Sequence, residues 1–235
     1  MEYNNNISLP LVSVIIPAFN ASNYIEETLV SVCNQEYPNI EIIVVDDGSE
    51  DDTSNIVKQF DATYIYQENK GLSSAMNTGF TAAKGAFIAS VDADDLWLPK
   101  KISLQMELFQ ADPSLDMVFC HIEQFLCPKI KESEQRFFIP EQSKVLPGYT
   151  SIAMLIKKTS FFQVGLFNEA YKFGDFIEWY SRAKDLNLKQ SVHTDILALR
   201  RIHKSNMSSD QPAAQRNYME IIKERLARQR KANTK

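Results

Sequence analysis

Ile40 to Val45 is a run of Ile and Val interrupted only by Glu41. A strand with this composition has almost no polar face to turn to water, so both of its faces must be covered. Antiparallel sheets that face water on one side alternate apolar and polar residues; this run does not. It therefore predicts a parallel strand sandwiched between helices. Val12–Ile16 is a second β-branched run of the same kind, ending at Pro17. Ala86–Val91 is a third, and Tyr64–Tyr66 a shorter one.

Segments of helical spacing separate these runs. Tyr24, Ile25, Leu29, Val32 and Cys33 recur at one such spacing, with Ser22 or Asn23 as the expected cap and Pro38 as the break. Asp51, Asp52 and Thr53 offer caps for a helix through Ile56, Val57 and Phe60. Ser73 opens another through Met76 and Phe80. Strand and helix in alternation predict an α/β fold with a doubly wound, mostly parallel central sheet flanked by helices. The polar residues then gather along one sheet edge, at Pro17–Asn20, Asp46–Ser49 and Asp92–Asp95.

The last of these carries the chemistry. Asp92, Asp94 and Asp95 follow directly on an apolar strand. Asp92 and Asp94 are two apart, so on extended backbone they lie on the same side of the chain. Converging hard oxygens suit Mg²⁺ or Mn²⁺, and a diphosphate can supply more. The competing reading is a polar loop whose Asp side chains cap a helix beginning near Leu98. Three acids in four residues exceed what a cap needs, and they repel one another without a counter-ion.

Beyond residue 112 the pattern loosens. A helix is expected over Leu98–Ala111 and strands over Met117–Phe125 and Val192–Arg201. Short helices are expected over Thr159–Val164 and Asp175–Leu186. Cys127–Gly148 is polar and broken by Pro128, Pro140 and Pro147, which reads as an excursion over the site. The expected division is 1–112 for a regular α/β half with a nucleotide pocket at its sheet edge, 113–210 for a smaller half of the same domain, and 211–235 for a basic helix and tail.

Charge and cysteines bound the partners. Net charge is −5, against a general nucleic-acid binder. Arg216–Lys235 nevertheless carries +5, leaving −10 for the remainder. That basic helix reads as packed on the domain with a solvated cationic face, or as a peripheral contact with an anionic membrane. A homodimer stays open. Cys33, Cys120 and Cys127 have no CxxC spacing, and no signal peptide or membrane-length apolar run is evident. The reading is a cytoplasmic protein, extending to the inner membrane face if the tail binds lipid.

Taken in series, Val12–Asn20, Val44–Ser49, Asn69–Gly71 and Asp92–Asp95 resemble family 2 glycosyltransferases of the GT-A fold. Val164–Phe167, Gly174-Asp175 with Trp179, and Arg201–His203 match more loosely. The resemblance implies an inverting, metal-dependent transferase using a nucleotide-sugar donor, most often a UDP-sugar. It also implies a nucleotide-sugar side for residues 1–112 and an acceptor side for 113–210. Carried over by position, Pro17, Ala18 and Phe19 line the base pocket and Asp47 accepts a hydrogen bond from the base. Asn69, Lys70 and Gly71 lie along the nucleotide. Asp92, with Ala93 beside it, faces ribose and metal, Asp94 holds the metal, and Asp175 matches the general base. The metal is Mn²⁺ or Mg²⁺. The family often has Arg where this chain has Met76, so one cation fewer stands there for a diphosphate.

Each position has a plainer alternative. Asp47 can brace the turn at Gly48, Asp175 can be a helix cap, and Glu178 is a rival base. Phe19 can be core. Trp97 and Trp179 line an acceptor pocket or, as large aromatics usually do, pack. His203 reaches the metal or pairs with a carboxylate. A sugar-phosphate nucleotidyltransferase would want a Gly-rich basic loop where Pro17–Asn20 stands. A catalytically silent nucleotide-sugar binder remains the alternative from another class. The acceptor (glycan, lipid-linked precursor, peptide or small molecule) has no readable motif, and one transfer per encounter is expected rather than polymer synthesis.

Overall fold

The computed structural model describes residues 9–128, 145–203, 206 and 211–232. In chain order its elements begin β1 (Val12–Ala18), α1 (Ile25–Cys33), β2 (Ile40–Asp46), α2 (Thr53–Val57), β3 (Thr63–Tyr66), α3 (Leu72–Ala82) and β4 (Phe87–Ser90). They continue β5 (Leu96–Trp97), α4 (Lys101–Ala111), β6 (Met117–Leu126), β7 (Val145–Pro147), β8 (Leu155–Lys157), α5 (Lys158–Val164), α6 (Asp175–Asp185), β9 (Gln190–Ile202) and α7 (Gln211–Ala232).

Among the described residues these strands form one sheet in the order β3-β2-β1-β4-β8-β6-β9-β5, with β7 beside β6. β3, β2, β1 and β4 are all parallel, as the apolar runs required. Strand order reverses at β1, with β2 and β3 to one side and β4 to the other. A crevice opens at such a reversal, outside the carboxyl ends of β1 and β4. Pro17 marks its start. Val91 N–H donates to Ile15 O at 3.0 Å, so two residues on Pro17 faces the same side, where β4 has ended. A missing N–H costs nothing there.

The two faces of β1 and β2 alternate residue by residue. Val12, Val14 and Ile16 pack with Ile25 and Leu29 of α1 and Ile102 and Met106 of α4. Ile15, Ile43 and Val45 pack on the other face with Met76 and Phe80 of α3, and with Phe161 and Trp179. Met76, where the family often has Arg, is therefore a core residue.

The second half adds antiparallel strands to the same sheet. β8 is antiparallel to β4 and β6, β7 to β6, and β5 to β9, while β9 runs parallel to β6. The sheet thus continues across the boundary drawn at residue 112. α7 lies against α6, with Arg228 donating to Asp185 Oδ2 at 3.1 Å.

Several local expectations are corrected. The helix expected from Leu98 begins at Lys101: the Leu98 N–H is held by Leu197 O of β9 at 2.9 Å, which carries the β5–β9 pairing one residue further before the chain turns. The N-cap position of α1 falls on Tyr24 rather than on Ser22 or Asn23, and Tyr24 makes no side-chain cap bond. Instead Asp51 Oδ2 accepts the Ser22 N–H at 3.0 Å and Thr53 Oγ1 the Ala21 N–H at 2.9 Å, which ties the β1 turn to the β2 turn. The central part of the Cys127–Gly148 excursion, residues 129–144, lies outside the described residues; its end, β7, pairs with β6.

Lys101 is fully buried, and among the described residues its amine has no carboxylate partner. Its Nζ donates to Gln105 Oε1 at 2.9 Å and sits 4.0 Å from the Trp97 ring centre. Burial lowers its pKa to about 8.

Candidate active site

Asp92, Asp94 and Asp95 stand at the crevice, and one carboxylate oxygen from each lies within 4.8 Å of the others. Like charges this close need either a proton or a cation. Burial, then the Asp94 charge, push the Asp92 carboxyl up to about 7; Asp175 adds to the rise. Burial, then Asp92 and Asp94, also hold Asp95 well above the ordinary carboxylate range. An all-oxygen set of this kind fits a hard divalent ion such as Mn²⁺ or Mg²⁺.

The acid turn is held from two sides. Asp95 N–H donates to Asp92 O at 3.0 Å, closing the turn itself. From α1, Thr28 Oγ1 reaches Ala93 O and Asp95 O, both at 2.9 Å. From the end of β9, Arg201 N–H donates to Asp95 Oδ1 at 2.7 Å and its Nε to Asp94 O at 2.8 Å. His203 Nε2 lies 2.7 Å from Asp94 Oδ2, and Asn206 Nδ2 3.3 Å from the same oxygen. His203 also stacks on Tyr24 at 4.8 Å. Of the two readings of His203, the carboxylate contact is present, and it places the ring beside the acid cluster.

The neighbouring wall is built by Asp46 and Asp47 at the end of β2. Asp46 is structural: Oδ1 accepts the Ser49 N–H at 2.8 Å and Oδ2 the Tyr64 hydroxyl at 2.6 Å. Asp47 N–H donates to Ala18 O at 2.8 Å, bringing it beside the β1 end. Its Oδ1 accepts Gln67 Nε2 at 2.7 Å and Lys70 N–H at 2.9 Å, and its Oδ2 accepts Gly71 N–H at 2.8 Å. A carboxylate has about four acceptor positions, so Oδ2 keeps capacity for one more donor. Asp47 therefore shapes the 69–71 turn whatever else it does. Gly48 is required there: its φ is +82° and a Cβ would stand 2.9 Å from Asn69 N. Pro17 and Ala18 are buried beneath, Asn69 and Lys70 are exposed, and Phe19 presents 53% of its surface, so Phe19 is not core.

Across the crevice, Asp175 is the first residue of α6. Ser73 Oγ, from α3, donates to its Oδ2 at 3.0 Å and the Phe176 N–H to its Oδ1 at 2.8 Å. Burial raises its pKa, with Glu178 adding to the rise. Glu178 itself is 3% exposed and grips Arg182, whose Nη1 and Nη2 hold Val164 O and Leu166 O at 2.6 and 2.7 Å. That is a brace between α6 and the loop after α5, so the carboxylate read as a rival base is already engaged by a guanidinium. Trp179 has no exposed surface, donates to Gly165 O at 2.8 Å and stacks on Phe161. Trp97 is 3% exposed and donates to Ile152 O at 2.9 Å. Both are packing residues, because their rings are spent in the core.

Sequence reasoning counted Asp95 in the acid run and Arg201 in the family match without giving either a role, and it passed over Thr28 and Asn206. The third acid of the run was the signal for Asp95. Arg201 adjoins His203 in sequence, but nothing local shows that it reaches the Asp92–Asp95 turn.

A model of the family described as Glycosyl transferase family 2 matches residues 13–172. An uncharacterised glycosyltransferase of Rickettsia prowazekii (strain Madrid E) is 35% identical over 191 residues, 74% of this chain and 59% of that protein. The chain thus spans well under two thirds of that relative's length. The solved structure of S. aureus TarS 1–349 with UDP-GlcNAc superposes with a TM-score of 0.70 at 22% identity, covering 85% of this chain and 61% of that one. Mannosyltransferase PcManGT from Pyrobaculum calidifontis, with GDP-Man and Mn²⁺, gives 0.70 at 21% identity, covering 94% and 65%. The likeness is one of fold, the GT-A arrangement.

Proposed function

The chain belongs to glycosyltransferase family 2, and from that premise we propose that it moves a sugar from a nucleotide-sugar donor, a UDP-sugar first, to a hydroxyl acceptor with inversion. The observation that carries this is the Asp92–Asp94–Asp95 cluster at the strand-order reversal, with Asp175 close enough to raise the Asp92 carboxyl. Two structural neighbours, one solved with UDP-GlcNAc and one with GDP-Man and Mn²⁺, support the donor class.

In this reading Phe19 stacks on the base, and Asp47 takes a base N–H at the remaining position of Oδ2. Asn69, Lys70 and Gly71 border the nucleotide on backbone that Asp47 has already oriented. Asp94, with Asp92, holds Mn²⁺ or Mg²⁺, and His203 keeps the Asp94 carboxylate in place or joins it as a ligand. When bound, such an ion stabilises negative charge on the departing diphosphate. Asp175 takes the proton of the attacking hydroxyl. Its raised pKa, caused by burial, makes it a stronger base than an exposed carboxylate. Attack from the Asp175 side, opposite the leaving diphosphate, inverts the anomeric centre.

Calorimetric titration with UDP, with and without Mn²⁺, tests the donor reading. Mn²⁺-dependent heat is expected in the wild type and its loss in a folded Asp94→Ala variant. Equal binding and transfer by that variant would remove the metal assignment. Binding without transfer across a panel of donors and acceptors would leave a nucleotide-sugar binder.

A further inference from the structure

The face of α7 that docks on the protein is set by three contacts. Ile221 is 3% exposed. A Cβ on Gly174 would stand 2.8 Å from Tyr218 Cε1 and 2.9 Å from Ile221 Cδ1, so these two side chains lie directly on that backbone. Arg228 donates to Ser181 Oγ at 2.6 Å and to Asp185 Oδ2 at 3.1 Å.

Beside that docked face runs a stripe that nothing described covers. Met219, Ile222 and Leu226 are 56%, 52% and 48% exposed, and Tyr218, at the edge of the docked face, is 40% exposed. At 3.6 residues per turn these four fall within a sector about 100° wide, which they share with the uncharged Gln215 and Gln229. Arg216, Lys223 and Arg230, all exposed, occupy the next roughly 40° beyond it. Glu220 and Glu224 fall past them, away from the stripe. A sector rich in apolar residues, bordered on its outer side by cations and carried on a helix lying along a surface, can rest at a lipid interface.

We propose that α7 seats this protein on an anionic lipid bilayer. Charge decides between occupants. A two-fold contact of α7 with its own copy would set two cationic borders side by side, whereas acidic headgroups complement them. Residues 216–235 carry +5 on a chain whose remainder carries −10, so binding through α7 also orients the molecule. No helix among the described residues is long and apolar enough to cross a membrane, so α7 lies on the surface and does not span it. Through Gly174 the docked helix adjoins Asp175, so the Asp175 end of the crevice is the end nearest the headgroups.

Co-sedimentation with vesicles tests this without donor or acceptor, and so independently of the transferase reading. The full chain is expected to bind phosphatidylglycerol/phosphatidylcholine vesicles and not pure phosphatidylcholine. The pair Ile222→Gln, Leu226→Gln and the pair Arg216→Ser, Lys223→Ser should each weaken binding about tenfold or more, with unchanged circular dichroism and melting. Failure of the wild type to bind anionic vesicles, or equal binding by the charge variants, overturns the proposal. So does a concentration-dependent dimer that Ile222→Gln abolishes while vesicles go unbound, which would assign the stripe to a second copy.

Discussion

Arg201→Met separates holding the fold from holding the acid turn. Arg201 is 3% exposed; its Nε donates to Asp94 O at 2.8 Å and its Nη2 to Glu27 at 2.6 Å. Its guanidinium lies 5.2 Å from the Tyr24 ring and 4.7 Å from that of Phe125. The bond to Asp94 O has a charged donor and contributes about 1.5–3 kcal/mol. The Glu27 side chain is 61% exposed, so that ion pair contributes about 0–1 kcal/mol. The two ring contacts add about 0.5–1 kcal/mol each. Met keeps the stem's packing and removes the several-kcal/mol cost of a buried guanidinium. Gains and losses nearly offset, so stability should move by no more than about 2 kcal/mol, roughly 4–8 °C at this size. The local effect does not cancel. Asp94 loses the donor that fixes its carbonyl, and removing a group that orients a ligand typically costs about 10–100-fold in metal affinity. Calorimetric titration of Mn²⁺ in the presence of UDP reads this, beside a thermal melt. Lys at 201 should fall between the two, since a point charge cannot serve two diverging acceptors. A folded Arg201→Met variant whose Mn²⁺ affinity stays within about twofold of wild type would refute the reasoning, given the affinity range expected.

Two further outcomes are expected. Asp175→Asn should keep UDP binding and lose transfer; because burial raises the Asp175 pKa, wild-type transfer should decline as pH falls through a value above the usual carboxylate range. Unchanged turnover by the variant would place the base elsewhere. Lys101→Met addresses stability: the buried amine has a pKa of about 8 against 10.5 when exposed, a difference of about 3 kcal/mol. Between those values the unfolded chain binds the extra proton, so wild-type stability should rise with pH relative to the variant across that window. Parallel stability–pH curves for the two proteins would contradict the burial of a protonatable amine.

The parallel half of the sheet was readable because its signal is local. Ile40–Val45 has no polar face, and each such run ends in turn residues at the same edge. The acid cluster was readable for the same reason, since three carboxylates sit within four residues. The fate of the aromatic and charged residues was not. Trp97, Trp179 and Glu178 each allow a site role or a packing role in a sequence, and the structure buries each against a backbone carbonyl or a guanidinium. The start of α4 was also misjudged where a distant strand claimed the residue, as β9 claims Leu98 through Leu197 O.

By itself the sequence determined the α/β alternation, the edge where polar residues collect and the acids that stand there, because side-chain periodicity and strand-end composition act over a few residues. Only the tertiary structure decided what holds those acids. Arg201 and His203 lie about 110 residues from Asp94 and reach it because β9 pairs with β5, the strand that follows the acid turn. That pairing depends on which sheet edge is left open once all the other strands have packed, and no short stretch of the chain contains that information.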